Sequence, residues 1–461
     1  MKIKAPKVKL KLDQTFAPAI LYLKEFKKQV LKQKAHDQVT IVIERNNGYK
    51  ESYQTIVFQE EDNYLKDNLF YLERLIKTLL WVYGGYKIIF VGPHYLYLEI
   101  KEIFEKGERL FDANFMERIY EKPFLVEFSK VVPPLSKSER DIGKHFGGYR
   151  IGFDAGGSDM KVSALKDGEV VYSEEIVWYP KLNDNPRYHQ EMIRKAIYKA
   201  KEKLPKVEAL GVSSAGVYID NQARVASLFI KVPLKEFNDH IKNIYLDIAR
   251  ELKVPIEVVN DGEVTALAGS MSLSKNKLLG IAMGTSEAVG YVNSKGMITG
   301  WLNELAFAPV DFQVNGPLDE WSLDRGVGCK YFSQDAVIRL AKKAGFKFQE
   351  GLHLGEKLKA IQSLDSKSEL YQNIYLTIGA YLGYSLAYYS EFYDFENVLL
   401  LGRVMSGVGG KIIVKTAEEV LKQHFANLSA KITLYLPDEK TRRVGQSIAA
   451  ASLVNLEEER K

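Results

Sequence analysis

The 461-residue sequence predicts an α/β protein that is built from two similar lobes, with a small α/β domain ahead of them. Three observations support this prediction. Strand-like and helix-like segments alternate along the chain, as they do in layered α/β folds. A pattern of hairpin, helix and strand occurs in two successive segments, which indicates a pseudo-repeated pair of lobes. The length is also too great for one ordinary domain and fits two or three.

The first region, residues 1–145, is expected to form the small α/β domain. The β-branched runs VTIVIER and YQTIVFQ predict strands. NLFYLERLIKTLLWVYGG has apolar residues at helical spacing and ends in glycines, so it predicts a helix. KIIFVGP then predicts a buried strand, and HYLYLEIKEIFEKG predicts a second helix. The following VVPPLSKSERDIGKHFGG is rich in Pro, Ser and Gly and marks the domain boundary.

The two lobes are predicted over residues 146–277 and 278–440. The first lobe opens with YRIGFDAGG, and Lys166-Asp167-Gly168 predicts the turn of a hairpin. FNDHIKNIYLDIAREL predicts one helix, and GEVTALAGSMS predicts another after the strand IEVVND. The second lobe opens with KLLGIAMGTSEAVGYV, again a strand, a glycine turn and a strand. The closing helix, residues 441–455, is rich in small residues and is expected to pack back on the first lobe.

The composition is that of a globular protein, with 46% hydrophobic and 27% charged residues. No apolar run approaches the roughly 20 residues of a membrane-spanning helix, so no membrane is expected as a partner. The opening MKIKAPKVKLKLDQ has charge but no apolar stretch behind it, and a secretory signal is not expected. The one cysteine, Cys329, excludes an internal disulfide and favours a cytoplasmic location.

Lysines are concentrated near the start of the chain, at positions 2, 4, 7, 9 and 11 and again between 24 and 34. They indicate either a patch for nucleic acid or another acidic partner, or the solvated faces of a strand and a helix. No nucleic-acid-binding pattern accompanies them, and the net charge is only +5. Solvated faces are therefore the favoured interpretation, and nucleic acid is not expected as a partner.

The segment IGFDAGGSDMKVSAL carries the first candidate site. Gly156 and Gly157 have no Cβ, so a turn there can tighten and a phosphate can approach backbone amides. Asp154, at the end of the strand, can hold Mg²⁺ directly or through water. Ser158 can donate a hydrogen bond to a phosphate, and Lys161 can offset its charge. An ordinary glycine-rich hairpin with a solvated carboxylate explains this segment equally well when it is taken alone.

Two further glycine loops favour the phosphate interpretation. LGIAMGTSEAVGYV repeats the form of strand, glycine turn and strand, and LLLGRVMSGVGGKII places a glycine loop before a helix. One phosphate turn in each lobe and a late glycine loop for a nucleoside together predict an ATP site. The residues concerned are Gly284, Thr285 and Ser286 in the second loop and Gly402, Ser406 and Gly407 in the third.

Asn260 and Asp261 lie where a predicted strand meets a predicted helix in IEVVNDGEVTALAG. A carboxylate at this position can take a proton from an attacking hydroxyl, as phosphoryl transfer to an alcohol requires. The alternative is that one of the two side chains only caps the helix. Both roles are compatible.

Together these motifs resemble the ROK (repressor, open reading frame, kinase) group of sugar kinases, within the actin, heat-shock ATPase and hexokinase superfamily. The resemblance covers about residues 148–455 and implies two actin-like (ribonuclease H-like) lobes around a cleft for ATP and a sugar. It implies that Asp261 is the catalytic base and that Asn260 and Glu304 bind the sugar. The stretch GVSSAGVYIDNQARVASLFI, with Ser214 and Gly216, is similar to a family segment that shapes the sugar pocket.

The chain departs from the family pattern in the segment that normally binds zinc. The position of a zinc-binding histidine is Phe307, and only Cys329 remains of the family's cysteine cluster. A further sugar-binding glutamate is missing, with Tyr331 roughly in its place. Zinc is therefore not expected as a cofactor, and the identity of the sugar is left open.

The predicted function is ATP- and Mg²⁺-dependent phosphorylation of a hydroxyl group on a hexose or a hexose derivative. One alternative is a non-catalytic sugar sensor or scaffold, which the lost histidine and cysteines favour and the retained Asp261 opposes. The other is an ATPase of the same fold without a sugar acceptor. The expected partners are a small-molecule sugar and, as an open option, a second copy of the chain in a homodimer.

Overall fold

The structure is a computed structural model that describes residues 6, 8, 10–61, 63–136, 142–436 and 441–457, without the side chains of 441–444. The chain forms two compact units. Unit one comprises Met1–Ser138, Ile281–Val289 and Trp301–Leu436, and unit two comprises Glu139–Gly280, Gly290–Gly300 and Pro437–Lys461. Four lysines of the predicted strand face, those at positions 2, 4, 7 and 9, lie outside the described residues.

The N-terminal part of unit one is a four-stranded sheet with helices, in the strand order β2-β1-β3-β4. Strand β1 pairs antiparallel with β2 and β3, and β3 pairs parallel with β4. Helix α2 ends where Gly84 takes a φ of 72°, a left-handed conformation that glycine adopts without strain. The elements are α1 (Ala19–Val30), β1 (His36–Glu44), β2 (Lys50–Phe58), α2 (Leu65–Tyr83), β3 (Lys87–Val91), α3 (His94–Glu105), α4 (Leu110–Tyr120) and β4 (Leu125–Phe128).

Unit two is built on a five-stranded sheet in the order β11-β8-β5-β6-β7. The three strands β5, β6 and β7 are antiparallel neighbours, whereas β5, β8 and β11 run parallel. Its elements are β5 (Tyr149–Ala155), β6 (Asp159–Lys166), β7 (Glu169–Val177), α5 (Pro186–Lys201), β8 (Ala209–Ser214), β9 (Val217–Ile219), β10 (Gln222–Val225), α6 (Leu234–Glu236), α7 (Ile244–Leu252), β11 (Ile256–Asn260) and α8 (Asp261–Leu273).

The second half of the chain contains a four-stranded sheet in the order β13-β12-β14-β15, in which β14 and β15 are parallel. The long helix α11 packs against α12, and Gly379 and Gly383 let the two backbones approach closely. The elements are β12 (Leu278–Met283), β13 (Glu287–Val292), α9 (Gln334–Lys343), α10 (Leu354–Gln362), α11 (Glu369–Tyr389), β14 (Asn397–Leu401), α12 (Gly407–His424), α13 (Ala426–Ser429), β15 (Thr433–Tyr435) and α14 (Thr441–Ala451).

Helix α14 lies directly on the sheet of unit two, against β5, β6 and β8 and beside α8. Two glycines in the sheet make this approach possible. A Cβ at Gly152 would lie 1.8 Å from the carbonyl oxygen of Ser447, and one at Gly211 would lie 1.7 Å from that of Ala450. The small residues of the closing helix and the glycines of the sheet therefore form one tightly packed layer.

The α/β fold class is confirmed, and most predicted elements form where the sequence places them. The hairpin at Lys166-Asp167-Gly168 turns through positive φ angles of 48° at Asp167 and 86° at Gly168. Among residues 6, 8 and 10–12, however, no strand forms, so a solvated strand face is wrong there. Within the described ranges, no helix is long and apolar enough to cross a membrane.

The stretch FNDHIKNIYLDIAREL does not form one regular helix as predicted. A π-helical turn occupies Phe237–Ile241, and α7 begins only at Ile244. The amide of Lys242 donates to the carbonyl of Phe237 instead of the one four residues back, and Asn243 leaves helical geometry with φ −105° and ψ 13°. Apolar spacing predicts a helical face but does not detect such an interruption.

Candidate active site

Four polar side chains come together at the carboxyl ends of neighbouring strands in unit two. Asp154 pairs with Ser213 in the register of β5 and β8, and Asn260 pairs with Ser214 in the register of β11 and β8. Because parallel strands end at the same edge of a sheet, side chains that are far apart in sequence become neighbours there. This edge is where open α/β sheets bind ligands.

Asp154 is a buried carboxyl, with 4% of its surface exposed. Its Oδ1 accepts a hydrogen bond of 2.6 Å from the hydroxyl of Ser213. Burial raises the pKa of Asp154 to about 6, although the Ser213 hydroxyl and the Lys161 ammonium oppose the rise. The negative charge of Asp261 adds to the rise.

The glycine turn after β5 is closed by a hydrogen bond from the Gly156 amide to the Asp159 carbonyl. Gly157 and Ser158 are exposed at its tip, beyond a strand that is buried throughout from Arg150. The indole of Trp178 donates to the carbonyl of Gly156 at 2.8 Å and supports the turn from behind. The turn therefore presents backbone to the solvent while its base is fixed.

The charged residues around this turn are paired with one another. Asp159 accepts from the hydroxyl of Ser158 at 3.1 Å and from the ammonium of Lys161 at 3.0 Å. The predicted phosphate contacts Ser158 and Lys161 are thus brought together, with Asp159 between them. A phosphate would compete with Asp159 for both donors, since a phosphate is also an anion with several acceptor oxygens.

Asn260 is the N-cap of helix α8 and Asp261 its first residue. The side-chain oxygen of Asn260 accepts from the amide of Gly262 at 2.7 Å, and its amide nitrogen donates to the carbonyl of Gly216 at 2.8 Å. The capping role is therefore present, and it leaves Asp261 partly exposed at the start of the helix. Burial raises the pKa of Asp261, against the effects of the Gly262 amide and of Lys181.

Lys181 is a residue that the sequence pattern does not single out. It lies after β7, in a short turn over Pro180–Leu182, and its ammonium is 3.7 Å from the point where a Cβ on Gly157 would stand. The same ammonium is close enough to lower the pKa of Asp261. The hairpin of β6 and β7 pairs Asp159 with Val177 and so returns the chain to the glycine turn. The sequence predicts this hairpin, but it does not predict that Lys181 lies beside the glycine turn.

Ser214 lies at the end of β8 and is fully buried. Its hydroxyl shares hydrogen bonds of 2.7 Å with Tyr218 and 2.9 Å with Tyr245. Gly216 follows with a φ of 139°, and a Cβ there would lie 2.6 Å from the carbonyl of Val225. Both residues shape the backbone beside Asn260.

Unit one contains the second glycine turn, which follows β12. The amide of Gly284 donates to the carbonyl of Ser286, and the carbonyl of Gly284 accepts from the amide of Gln334 at the start of α9. Thr285 and Ser286 are exposed at the tip. This turn resembles the one after β5 in exposing hydroxyl side chains and backbone at its tip.

The third glycine loop lies against the second turn in unit one. Gly402 has a φ of 93°, and a Cβ there would lie 2.3 Å from the carbonyl oxygen of Met283, the residue before Gly284. Ser406 is the N-cap of α12, and Gly407, with a φ of 68°, has open space around its Cα. The fold therefore brings together the two predicted nucleotide-binding loops of this unit.

Glu304 lies near a second carboxyl that the sequence pattern does not mark. Glu287, directly after the second turn, is 4% exposed, and the hydroxyl of Tyr389 is its hydrogen-bonding neighbour. Burial raises the pKa of Glu287 to about 8, and the charge of Glu304 adds to the rise. Glu304 itself is partly exposed, whereas Phe307 contacts the rings of Trp81 and Trp321.

Among the residues that the structure describes, no group of three His, Cys, Asp or Glu side chains is placed to hold a metal ion. Cys329 is a free thiol whose sulfur lies 3.6 Å from the carboxylate of Asp319. Burial raises its pKa well above the ordinary range of a thiol.

No family model and no curated protein matches the chain. Solved structures do match. A ROK hexokinase from Thermus thermophilus is 16% identical with a TM-score of 0.52, over 68% of this chain and 99% of the hexokinase. A ROK family transcriptional regulator, a homologue of the E. coli MLC protein, is 14% identical with a TM-score of 0.50, over 67% of this chain and 79% of the regulator.

At sequence identities of 14% and 16%, the similarity to these structures shows the fold alone. Both neighbours leave about a third of this chain unmatched, which corresponds in length to the region ahead of β5. The resemblance inferred from the glycine loops and from Asn260-Asp261 is thereby supported at the level of architecture. The chain has a fold similar to that of these two ROK proteins, with additional residues that they do not cover.

Proposed function

We propose that this protein transfers the terminal phosphoryl group of ATP to a hydroxyl group of a sugar, a hexose or a hexose derivative. The observation that carries the proposal is the convergence of Asp154, a glycine turn and the capped Asp261 at one edge of the sheet in unit two. The neighbour that is a hexokinase supports the same reaction class. ATP as the donor fits the cytoplasmic location expected from the single cysteine.

Asp261 acts as the general base in this proposal. It takes the proton from the acceptor hydroxyl while the oxygen of that hydroxyl attacks the phosphorus. Burial raises the pKa of Asp261, which makes the carboxylate a stronger base. Asn260 holds the start of α8 through its bonds to Gly262 and Gly216 and thereby fixes the position of Asp261.

The phosphates are assigned to exposed turns and to lysines. The turns at residues 156–158 and 284–286 offer backbone N–H groups and hydroxyls, which suit phosphate oxygens. Lys181 and Lys161 would offset negative charge as it develops on the transferred group. The loop with Gly402, Ser406 and Gly407 is assigned to the nucleoside.

Asp154 is the residue that would hold Mg²⁺. The fit rests on a buried carboxylate whose Oδ1 is oriented by Ser213, beside an exposed glycine turn. When bound, Mg²⁺ neutralises phosphate charge and favours phosphoryl transfer. Because an ionised carboxylate is needed to bind it, Asp154 must lose its proton, and its pKa of about 6 permits this at neutral pH.

The acceptor is assigned to Asn260, Gly216 and Glu304. Asn260 and Gly216 lie beside the base, and Glu304 is partly exposed in unit one. Carboxylate and amide groups recognise sugar hydroxyls because they accept and donate several hydrogen bonds in fixed directions. The hydroxyl of Ser214 is engaged by two tyrosines, so its contribution is to the shape of the site.

A sugar sensor without catalysis is the second candidate. It is favoured by the neighbour that is a transcriptional regulator with the same fold. A sensor needs Asn260 and Glu304 but has no use for a base or for bound Mg²⁺.

The test is a coupled assay of ADP release with ATP, Mg²⁺ and a panel of hexoses and hexose derivatives. At least one sugar should stimulate ADP release, and Asp261→Asn should lower kcat by roughly 10³-fold because it removes the base. The matched control is Asp247→Asn, an exposed carboxylate on α7 that is paired with Arg250. It should leave the rate unchanged.

The alternatives give different results in the same experiment. Sugar binding by calorimetry, without ADP release in any mixture, would identify a sensor and contradict the kinase. ADP release that no sugar stimulates would identify an ATPase. Equal rates for Asp261→Asn and the wild type would exclude Asp261 as the base.

A further inference from the structure

The segment Trp301–Tyr331 carries Glu304 and lies within unit one, as does the N-terminal region. We propose that the N-terminal region, residues 10–136, is a positioning element that holds this segment, and with it Glu304, in one conformation. The proposal concerns the position of Glu304. The consequence of that position for the affinity of the sugar acceptor rests on the proposed function. The proposal assigns a role to a region for which the proposed function names none.

The first attachment is at Glu304 itself. Three consecutive amides, those of Leu302, Asn303 and Glu304, donate to the carbonyls of Tyr83, Val82 and Trp81 at 3.0–3.2 Å. These carbonyls belong to the last turn of α2, where the carbonyl groups of a helix have no N–H partner within the helix. The backbone of Glu304 is thus fixed by the end of an N-terminal helix.

The second attachment is a short antiparallel pairing of residues 17–19 with residues 310–312. The amide of Ala19 donates to the carbonyl of Val310 at 3.0 Å, and the amide of Phe312 donates to the carbonyl of Ala17 at 2.9 Å. The amide of Ala17 also donates to the carboxylate of Asp311. This pairing holds the segment six to eight residues after Glu304.

The third attachment is a buried charge cluster centred on Asp324. Its carboxylate lies 3.1 Å from Arg74, 2.9 Å from Lys77 and 2.9 Å from Arg109, and it is 7% exposed. Burial alone would raise the pKa of Asp324, but these three cations outweigh burial and hold the pKa well below its usual range. Removing one partner of a buried pair leaves charges uncompensated, so the cluster is a strong point of attachment.

The cluster is balanced by two carboxylates from the N-terminal region. Glu73 lies 2.7 Å from Arg109 and Asp112 lies 2.8 Å from Lys77, while Glu73 also pairs with Arg74 at 2.6 Å. The N-terminal region therefore carries three cations and two anions here, and Asp324 supplies the third anion. One net positive charge would remain in the cluster without Asp324.

An aromatic cluster lies beside these charges. The ring of Trp321 is 5.3 Å from that of Phe111, 5.8 Å from that of Phe115 and 5.0 Å from that of Phe307. Phe307 in turn lies 4.7 Å from Trp81. The segment is therefore attached by backbone, by charge and by ring packing, each of which depends on residues before 121.

The test uses Asp324→Asn, Trp321→Ala and the matched control Glu320→Gln. Glu320 lies in the same segment but pairs with Lys330, whose second partner Asp335 remains. Trp321 is 53% exposed, so its removal should not prevent folding even if Asp324→Asn does. Hydrogen exchange by mass spectrometry is measured for peptides within 301–331 and, as a reference, for peptides of α11 and of unit two.

The expected result is faster exchange within 301–331 in Asp324→Asn and Trp321→Ala, by about tenfold or more, with unchanged exchange in α11 and unit two. Glu320→Gln should match the wild type. Equal exchange in all four proteins would overturn the proposal. So would an increase that spreads evenly over unit one, because it would indicate general destabilisation.

A kinetic measurement, separate from hydrogen exchange, tests the link to the sugar acceptor. With a phosphorylated sugar in hand, both variants should raise the KM for the sugar about tenfold while kcat and the KM for ATP change less than about threefold. An unchanged sugar KM in a variant with a loosened segment would exclude the link to the acceptor. If no sugar is phosphorylated by the wild type, the proposed function fails, whereas the exchange pattern still decides the positioning role.

Discussion

The two glycine turns of this protein share a backbone design but differ in the side chains around them. Each follows a buried strand and leaves its last two residues exposed. Two residues before the first glycine, however, β5 carries Asp154 and β12 carries Ala282. The turn after β5 is also bordered by Lys161 and Lys181, whereas the turn after β12 is followed by the buried Glu287.

This difference indicates a division of roles between the two turns. Both expose backbone and hydroxyls, but the turn in unit two is also bordered by two ammonium groups and by the carboxyls to which we assign metal and proton chemistry. The turn in unit one leads instead into packing, because a Cβ on Gly328 would lie 2.1 Å from the carboxylate of Glu287. A shared glycine motif therefore does not imply shared chemistry.

Asp154→Asn should show the largest effect on the first turn. We expect kcat/KM to fall roughly 10²–10³-fold, since the amide cannot replace a carboxylate at Mg²⁺. Ala282→Ser at the matched position of the second turn should change it less than about threefold. Initial rates over a range of Mg²⁺ concentrations measure both, and equal losses in the two variants would contradict the division of roles.

The same Asp154→Asn protein should not be less stable at neutral pH. The folded pKa of about 6 lies above the unfolded value of 3.8, so burial of the charged form costs free energy at pH 7. Removing the charge should raise the free energy of unfolding by up to about 3 kcal/mol. Denaturant unfolding at pH 7 measures the change, and a marked loss of stability would show that the carboxylate is structural.

Gly402→Ala should disturb the second turn more than Gly284→Ala does. At Gly402 a Cβ would combine a φ of 93° with a contact of 2.3 Å to Met283, whereas at Gly284 the nearest atom is 3.8 Å away. We expect Gly402→Ala to lower the free energy of unfolding by about 3 kcal/mol and Gly284→Ala by less than about 1 kcal/mol. Denaturant unfolding of both variants checks this order.

Glu287→Gln should change how the stability of the protein depends on pH. The folded pKa of about 8 lies above the unfolded value of 4.5, so the native state binds a proton that the unfolded state has lost. Stability is then expected to decline as pH rises from 4.5 to 8, and the decline should be smaller in Glu287→Gln. At pH 8 the variant should be more stable by on the order of 2 kcal/mol.

The control for this prediction is Glu369→Gln, an exposed carboxylate paired with Lys11. Thermal or denaturant unfolding at several pH values compares the three proteins. The same slope in Glu287→Gln as in the wild type would show that Glu287 is ionised in the folded protein throughout this range.

Ser213→Ala should have the smallest effect of these variants, and the effect should be a shift in the pH profile of the reaction. The Ser213 hydroxyl donates to Asp154 at 2.6 Å and stabilises the ionised carboxylate. Without it the pKa of Asp154 should rise, so the acidic limb of kcat/KM should move to higher pH by roughly one unit. Rates measured between about pH 5 and pH 9 give the shift. If the acidic limb does not move, the ionisation that it reports belongs to a group other than Asp154.

The sequence predicted the parts of the candidate site that depend on local patterns. Two patterns can each be recognised within about ten residues of sequence. One is a buried strand that ends in Asp154 and a glycine pair, and the other is a strand that ends in the cap Asn260. The order of the parallel strands then explains why these residues meet, since βαβ connections place strand ends at one edge. The fold class and the glycine turns could be inferred in this way.

Lys181, Glu287 and Asp324 could not be inferred, because their surroundings consist of residues distant in the sequence. Lys181 reaches the first turn only through the β6–β7 hairpin, and Asp324 meets Arg74 across 250 positions. A glutamate after a glycine turn or an aspartate in a loop has no local pattern that reveals burial. The sequence by itself thus determined the strands, turns and caps, whereas tertiary packing alone decided which charges are buried together, since burial depends on contacts between distant segments.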